Sequence, residues 1–380
     1  MKKISNDPAV KFFISVVGIF VIFFVLKELQ HIFIPFVIAY FLFFFFEPLN
    51  DFFESKRIPI PVIIFINLFL TISILYGISR IIIDSFSQFG SLIPSYEVKL
   101  NHIVSTTAIS LHLKERLLIH FDISKILQSV NYTVLAGGIF SSTLSIVASG
   151  LLTLFFFIFI SSGHNQIFEA IRMRYVEKGV KSTIEQMKKQ LKQGKDVNYS
   201  GYEENEALET LTIQRELRLR KTFKDITERV QRYIITKFLI SLTVGLVVGI
   251  ILRLFNIEFF IIWATFAVLL NFIPNIGSVI AVILPSLMAL VQYESFGYAI
   301  LVAAVLIIVQ NIIGNIIEPK IFGDRLGLNP LVILLSLLLW GYIWGIIGMF
   351  LSVPLTAIIK IIFSNSTSKN MRFITNLMSS

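Results

Sequence analysis

The chain has 380 residues, 55% of them hydrophobic and 15% charged, with a mean hydropathy of +0.80, far more apolar than soluble domains. This excludes a soluble fold and points to an all-α, polytopic helical membrane protein whose first partner is the lipid bilayer. A formal net charge of +9 would suit nucleic acid in a soluble chain, but here membrane topology explains it and no nucleic-acid partner is expected. The absence of cysteine removes disulfides, thiolate metal sites and cysteine nucleophiles together.

A membrane span needs about 20 apolar residues. The first segment, 1–83, supplies three windows, at 10–26, 32–46 and 60–83. Lys2, Lys3 and Lys11 at the head of the first window resemble a signal peptide. No small-residue cleavage site follows, however, and Lys27-Glu28 leads directly into the next window, so a retained helix is expected. Phe41 and Phe43 to Phe46 show no helical periodicity and read as lipid-facing bulk. Glu47, before Pro48, reads as interfacial, and Arg80 as a cation snorkelling to the headgroups.

Segment 84–145 is charge-neutral and carries amphipathic helical stretches around 119–134. Span 4 occupies 146–163. Segment 164–232 is basic, with fifteen Lys and Arg against eleven Asp and Glu over 165–232. Because Lys and Arg near span ends stay in the cytoplasm, this segment is expected inside and 84–145 outside. Both termini, including the tail 364–380, then lie in the cytoplasm. Apolar spacings of three and four at 184–191 and 217–226 predict surface helices, joined by a polar linker at 192–206.

Segment 233–363 contains a weak internal repeat, in which a full span (234–252, then 298–317) precedes an apolar run broken by Pro, Gly and Asn (259–291, then 331–362). If each broken run crosses once, there are eight spans and Lys320 and Arg325 lie outside. If each dips in and returns, there are six full spans plus two re-entrant hairpins of opposite orientation, and both cations lie inside. The second arrangement satisfies the charge rule and matches inverted-repeat transporter logic. Length agrees, since a helix of about 33 residues measures about 50 Å against a hydrocarbon core of about 30 Å.

Polar residues concentrate at the breaks. Asn271, Asn275 and Ser278 flank Pro274 and Gly277, while Asn311, Asn315 and Glu318 recur at spacings of four and three on the neighbouring span. Amides and a carboxyl offer the donors and acceptors that a hydrated cargo loses with its water, and Gly277 and Gly314 allow close backbone approach. The competing reading is interhelical hydrogen bonding that only holds the bundle together. Glu318 admits two readings, a carboxyl for proton coupling and an interfacial carboxylate paired with Lys320 or Arg325. Gly341, Gly345, Gly348 and Pro354 form either the tip and return of the second hairpin, a gate, or a small-residue packing face. Trp340, Tyr342 and Trp344 suggest an aromatic belt. No catalytic residue, cofactor or metal site is expected, because the histidines lack metal-ligand spacing and no span pairs a nucleophile with a base.

At these positions the chain resembles a known family. Phe272-Ile-Pro-Asn-Ile-Gly-Ser278, Asn315-Ile-Ile-Glu-Pro-Lys-Ile-Phe-Gly323, Leu326-Gly-Leu-Asn-Pro-Leu331 and Gly345-Ile-Ile-Gly-Met-Phe-Leu-Ser-Val-Pro354 resemble, in order and spacing, the autoinducer-2 exporter family of bacterial permease-like membrane proteins. The likeness is firm over 227–362 and one of pattern over the first four spans, and residues 181–212 look inserted. The resemblance implies a multi-pass inner-membrane homo-oligomer that exports a small polar signalling molecule or exchanges sodium or lithium for protons. A channel or a membrane signalling scaffold is the alternative from another class.

Overall fold

The computed structural model describes residues 8–110, 132–174, 201–322, 328–364 and 369–379. Helix α1 (Pro8–Glu28) passes into α2 (Gln30–Ser55) at a bend on Leu29. Leu29 N–H still bonds Val25 O at 3.0 Å, and Phe33 N–H bonds Leu29 O at 3.0 Å. After a short turn, α3 (Ile60–Ser110) folds back along α2, and Asn67 Nδ2 donates to Asn50 Oδ1 at 2.7 Å. Helix α4 (Tyr132–Arg172) completes this half. Its Phe157 and Ile160 bury against Ala39, Phe43 and Phe46 of α2. The phenylalanine block is therefore split. Phe43 and Phe46 are core, Phe41 packs towards the C-terminal half, and wholesale lipid exposure does not hold. An edge-to-face pair such as Phe46 with Phe157, centroids 6.2 Å apart, adds directional attraction to area burial.

Helix α5 (Gly201–Leu254) is the axis of the second half. Gly245 and Gly249 lie against α6 (Phe260–Leu270); a Cβ on Gly245 would sit 2.2 Å from Val268 Cγ2 and 2.9 Å from Ala264 O. This small-residue face lets two apolar helices approach closely where lipid gives no hydrophobic drive to association. Helix α7 (Ile276–Tyr293) turns back on α6. At the open end Glu258 N–H donates to Gln292 Oε1 at 2.9 Å and Gln292 Nε2 to Asn256 O at 2.8 Å. At the closed end a Cβ on Gly277 would meet Leu270 O at 1.7 Å. The pair is a hairpin, hairpin 1, with its turn at 271–275.

Helix α8 (Phe296–Asn311) runs through a π-helical turn (Ile312–Ile317) into α9 (Glu318–Phe322). Helix α10 (Pro330–Ser364) reverses at Gly345, where φ is 62° and ψ is −142°. Its arms, 330–344 and 346–364, close with Gly348 against the Trp340 carbonyl, where a Cβ would fall 1.9 Å from the oxygen. This is hairpin 2. Helix α11 (Lys369–Met378) follows.

The hairpins enter from opposite ends of α5's apolar stretch. The base of hairpin 1 packs around Leu252 and Ile257, whereas the base of hairpin 2 packs Val332, Val353 and Ala357 around Tyr233. Their inner ends touch through Phe272 and Phe350, which stack with centroids 4.4 Å apart. Among the described residues, six helices are long and apolar enough to cross a membrane, and the chain is an all-α polytopic membrane protein. Two of those six are α7 and α10, the hairpin elements. The windows predicted for spans 1 and 4 fall on α1 and on the shorter apolar stretch Val147–Gly163 of α4. The sequence boundaries at 83/84, 145/146 and 232/233 fall inside the continuous helices α3, α4 and α5. The stretches at 119–131 and 184–191 lie outside the described residues.

Candidate transport site

A cavity of about 860 Å³ opens between the turn of hairpin 1 and the base of hairpin 2. Asn271, Pro274, Asn275 and Ser278 line it from hairpin 1, Asn311, Asn315 and Glu318 from the α8–α9 path, and Tyr233 and Lys237 from α5. Pro274 keeps the turn from continuing as helix. Asn275 adopts φ 61°, ψ −52°, a conformation an L-residue holds only when its surroundings fix it. The turn thus lies beside the cavity at the start of α7, where the helix dipole is positive.

Opposite it, Asn315 Nδ2 donates to Asn311 Oδ1 at 2.8 Å, and Asn311 Nδ2 to Ile307 O at 2.8 Å, a ladder along one helix face. The π turn adds a residue beneath this ladder, as such bulges often do at functional sites, and Glu318 follows it. Asn271 Nδ2 donates to Ser241 Oγ at 2.9 Å, and Ser278 Oγ to Asn275 O at 2.9 Å. At the hairpin 2 end Lys237 Nζ donates to Glu318 Oε1 at 2.6 Å, the two side chains being 8% and 22% exposed. Among the described residues, Lys237 and Glu318 are the charged groups lining the cavity, and they pair with each other; amides and apolar side chains make up the rest of the wall.

A model of the AI-2E family transporter matches residues 12–196 and 204–368. The chain belongs to the AI-2E transporter family. Within that family, it is 44% identical over 132 residues to the putative transport protein YhhT of Escherichia coli K12, covering 35% of this chain and 38% of the relative. It is 45% identical over 134 residues to the AI-2 transport protein TqsA of the same organism, covering 35% and 39%. It is 33% identical over 138 residues to the putative transport protein YrrI of Bacillus subtilis, covering 36% and 38%. The chain thus spans less than two-fifths of the length of each of these relatives. The AI-2E family model leaves 197–203 unmatched between its two parts, within the stretch 181–212 read as inserted. The chain is a multi-pass membrane protein of that family.

Several expected placements change. Glu318 pairs with Lys237, a residue hidden in an apolar window of α5, rather than with Lys320; Arg325 lies outside the described residues. An isolated cation inside such a window was the available signal for it, since a buried charge demands a partner. Asn271 and Asn275 lie in the turn rather than on one helix face with Ser278. Gly277 lies behind the cavity wall against Leu270, whereas Gly314 has no atom within 4 Å of a built Cβ, so close approach explains the first glycine and not the second. None of Gly341, Gly345, Gly348 or Pro354 lines the cavity; from hairpin 2 only Pro330, Ile333 and Val353 do. Gly341 meets Met349 of its own hairpin rather than a neighbouring helix. Trp340 and Trp344 are buried, with Trp344 Nε1 donating to Leu26 O at 2.9 Å. Only Tyr342 is exposed, beneath Lys27 Nζ at 3.8 Å from the ring centre. Arg80 pairs with Asp84 at 3.2 Å, both exposed.

Proposed function

We propose that this transporter exports a small, hydrophilic, uncharged solute by a secondary mechanism, binding it in the cavity between the two hairpins. One observation carries the reading: amides of Asn271, Asn275, Asn311 and Asn315 line a space in which the charged groups among the described residues, Lys237 and Glu318, already pair with each other. An ionic cargo would have to break that buried pair, whereas a polyhydroxylated one needs only the donors and acceptors that the amides supply. The name of the relative TqsA makes an autoinducer-2-like solute the first cargo to try. Hairpin 1 acts as the gate at the cavity, bearing on hairpin 2 through Phe272 and Phe350. The reversal at Gly341, Gly345, Gly348 and Pro354 acts as the hinge of the second gate. The chain works as a homo-oligomer in the inner membrane with both termini in the cytoplasm.

Efflux of autoinducer-2 from loaded proteoliposomes tests the site. Asn275→Leu is expected to slow efflux at least tenfold while the variant elutes from size exclusion as the parent does. Parental efflux by a well-folded variant would reject the cavity as the route.

The position of Glu318 on the cavity wall favours one second reading, sodium or lithium exchange for protons, in which the cation competes with Lys237 for the carboxylate. Sodium-driven proton movement that survives in Glu318→Gln would reject it.

A further inference from the structure

Helix α11 takes no part in the cavity lining, yet its ends are tied to both arms of hairpin 2. It opens at Lys369, shortly after the return arm ends at Ser364. Its far end is pinned to the start of the outgoing arm. Asn329 N–H donates to Met378 O at 3.0 Å, Leu328 and Ser379 form an antiparallel bridge, and Met378 packs with Leu328, Tyr233, Val353 and Ala357. Neighbouring helices stand about 8–10 Å apart and a ten-residue helix is about 15 Å long. Helix α11 therefore crosses the base of hairpin 2 instead of prolonging either arm. The hairpin is the membrane-inserted element, so its base marks the bilayer surface and α11 runs along that surface.

The composition of α11 fits this attitude. Met378 faces the protein, while Phe373, Ile374 and Leu377 are 64%, 38% and 60% exposed and share one helical face by their spacing. The helix contains Lys369 and Arg372 and no acidic residue. A short helix with an apolar face and basic flanking residues is the pattern of a segment lying in the headgroup region of anionic bilayers.

We infer that α11 is an interfacial helix that inserts Phe373, Ile374 and Leu377 among lipid chains, its two basic residues making it favour an anionic bilayer. Leu328 also lines the cavity, so this contact ties one end of the cavity to the bilayer surface. The inference stands independently of the cargo.

The chain has no cysteine, so Phe373→Cys can carry a single environment-sensitive fluorophore on the full-length protein, with Lys56→Cys as the water-facing control. Vesicles are made of phosphatidylcholine alone or with phosphatidylglycerol, each with brominated acyl chains as quencher in the lipid and iodide as quencher in water. The expected result for Phe373→Cys is strong quenching by bromine and several-fold weaker quenching by iodide than at Lys56→Cys. Phosphatidylglycerol should deepen the bromine quenching, and Lys369→Gln/Arg372→Gln should remove that increment. Iodide quenching equal to the control overturns the inference. Protection from both quenchers also overturns it and assigns the face to a second copy of the chain. A response indifferent to phosphatidylglycerol overturns the anionic-headgroup half.

Discussion

Replacing Gly277 by Ala tests whether hairpin 1 is held closed by backbone contact. A Cβ at this position would lie 1.7 Å from Leu270 O and 2.6 Å from Leu270 C. Both are backbone atoms that cannot rotate away, so α6 and α7 must part by roughly 1.5 Å to restore ordinary contact. Overpacking of this kind costs about 1–3 kcal/mol. It also weakens the 3.1 Å bond from Gly277 N–H to Ile273 O that pins the turn. Gly150→Ala in α4 is the control, because its Cβ would meet nothing within 4 Å and alanine favours a helix interior over glycine by about 0.5–1 kcal/mol. The assay is thermal unfolding followed by fluorescence-detected size exclusion, beside solute efflux from proteoliposomes. Gly277→Ala should melt several degrees lower and lose efflux, while Gly150→Ala melts at or above the parental temperature. Parental melting and efflux for Gly277→Ala would refute a closed-hairpin architecture at this site.

Lys237→Met leaves the half-buried Glu318 carboxylate without its partner and should cost about 1–3 kcal/mol, most of it regained in Lys237→Met/Glu318→Leu; chemical denaturation in micelles measures both. Phe157→Ala, removing a ring only 1% exposed, should cost about 3–5 kcal/mol in the same measurement. Tyr96, on the part of α3 beyond its span, has its phenol pKa raised, first by burial and then by its hydrogen bond to Glu258 and the charge there. The neutral phenol is thus favoured in the fold. Its contribution is complete below the ordinary tyrosine pKa of about 10 and disappears as pH rises through the higher folded value. Ultraviolet titration should show one fewer phenol resisting ionisation above pH 10 in Tyr96→Phe than in the parent. A single cysteine at Asp324 should react only with reagents admitted to the cytoplasmic side; labelling from outside would favour eight single crossings.

Much of the membrane half was legible because its signals are local. Long apolar windows give helices wherever they occur, and the breaks at Asn271 to Gly277 and at Gly345 mark reversals because Pro274 lacks the N–H that continues the ladder and Gly345 takes a positive φ. Asn311 and Asn315 read correctly as neighbours, since a spacing of four is a property of the helix itself. What escaped was set by distant partners. Lys237 and Glu318 are 81 positions apart, and nothing in either local sequence names the other. Phe43 and Phe46 differ from the more exposed Phe44 and Phe45 only through the helix that packs on them, so a run of identical residues carries no periodicity to read. The continuity of α3 beyond its span was likewise invisible, because Tyr96, Lys99 and His102 hold it to Glu258, the Gln292 carbonyl and Glu294 across the base of hairpin 1.

The two broken runs look equivalent in sequence and are not equivalent in space. Freed backbone groups at membrane depth need water, protein or a ligand around them. Hairpin 1 meets that need with the cavity, along which Asn271, Pro274 and Asn275 are set. Hairpin 2 meets it with protein: Trp340 and Trp344 are buried among Phe23, Leu26, Phe33 and Val37, and Gly345 turns through a left-handed φ that needs no side-chain support. Hairpin 2 reaches the cavity instead by its base, at Pro330, Ile333 and Val353. An inverted pair built this way lines the cavity with the tip of one hairpin and the foot of the other.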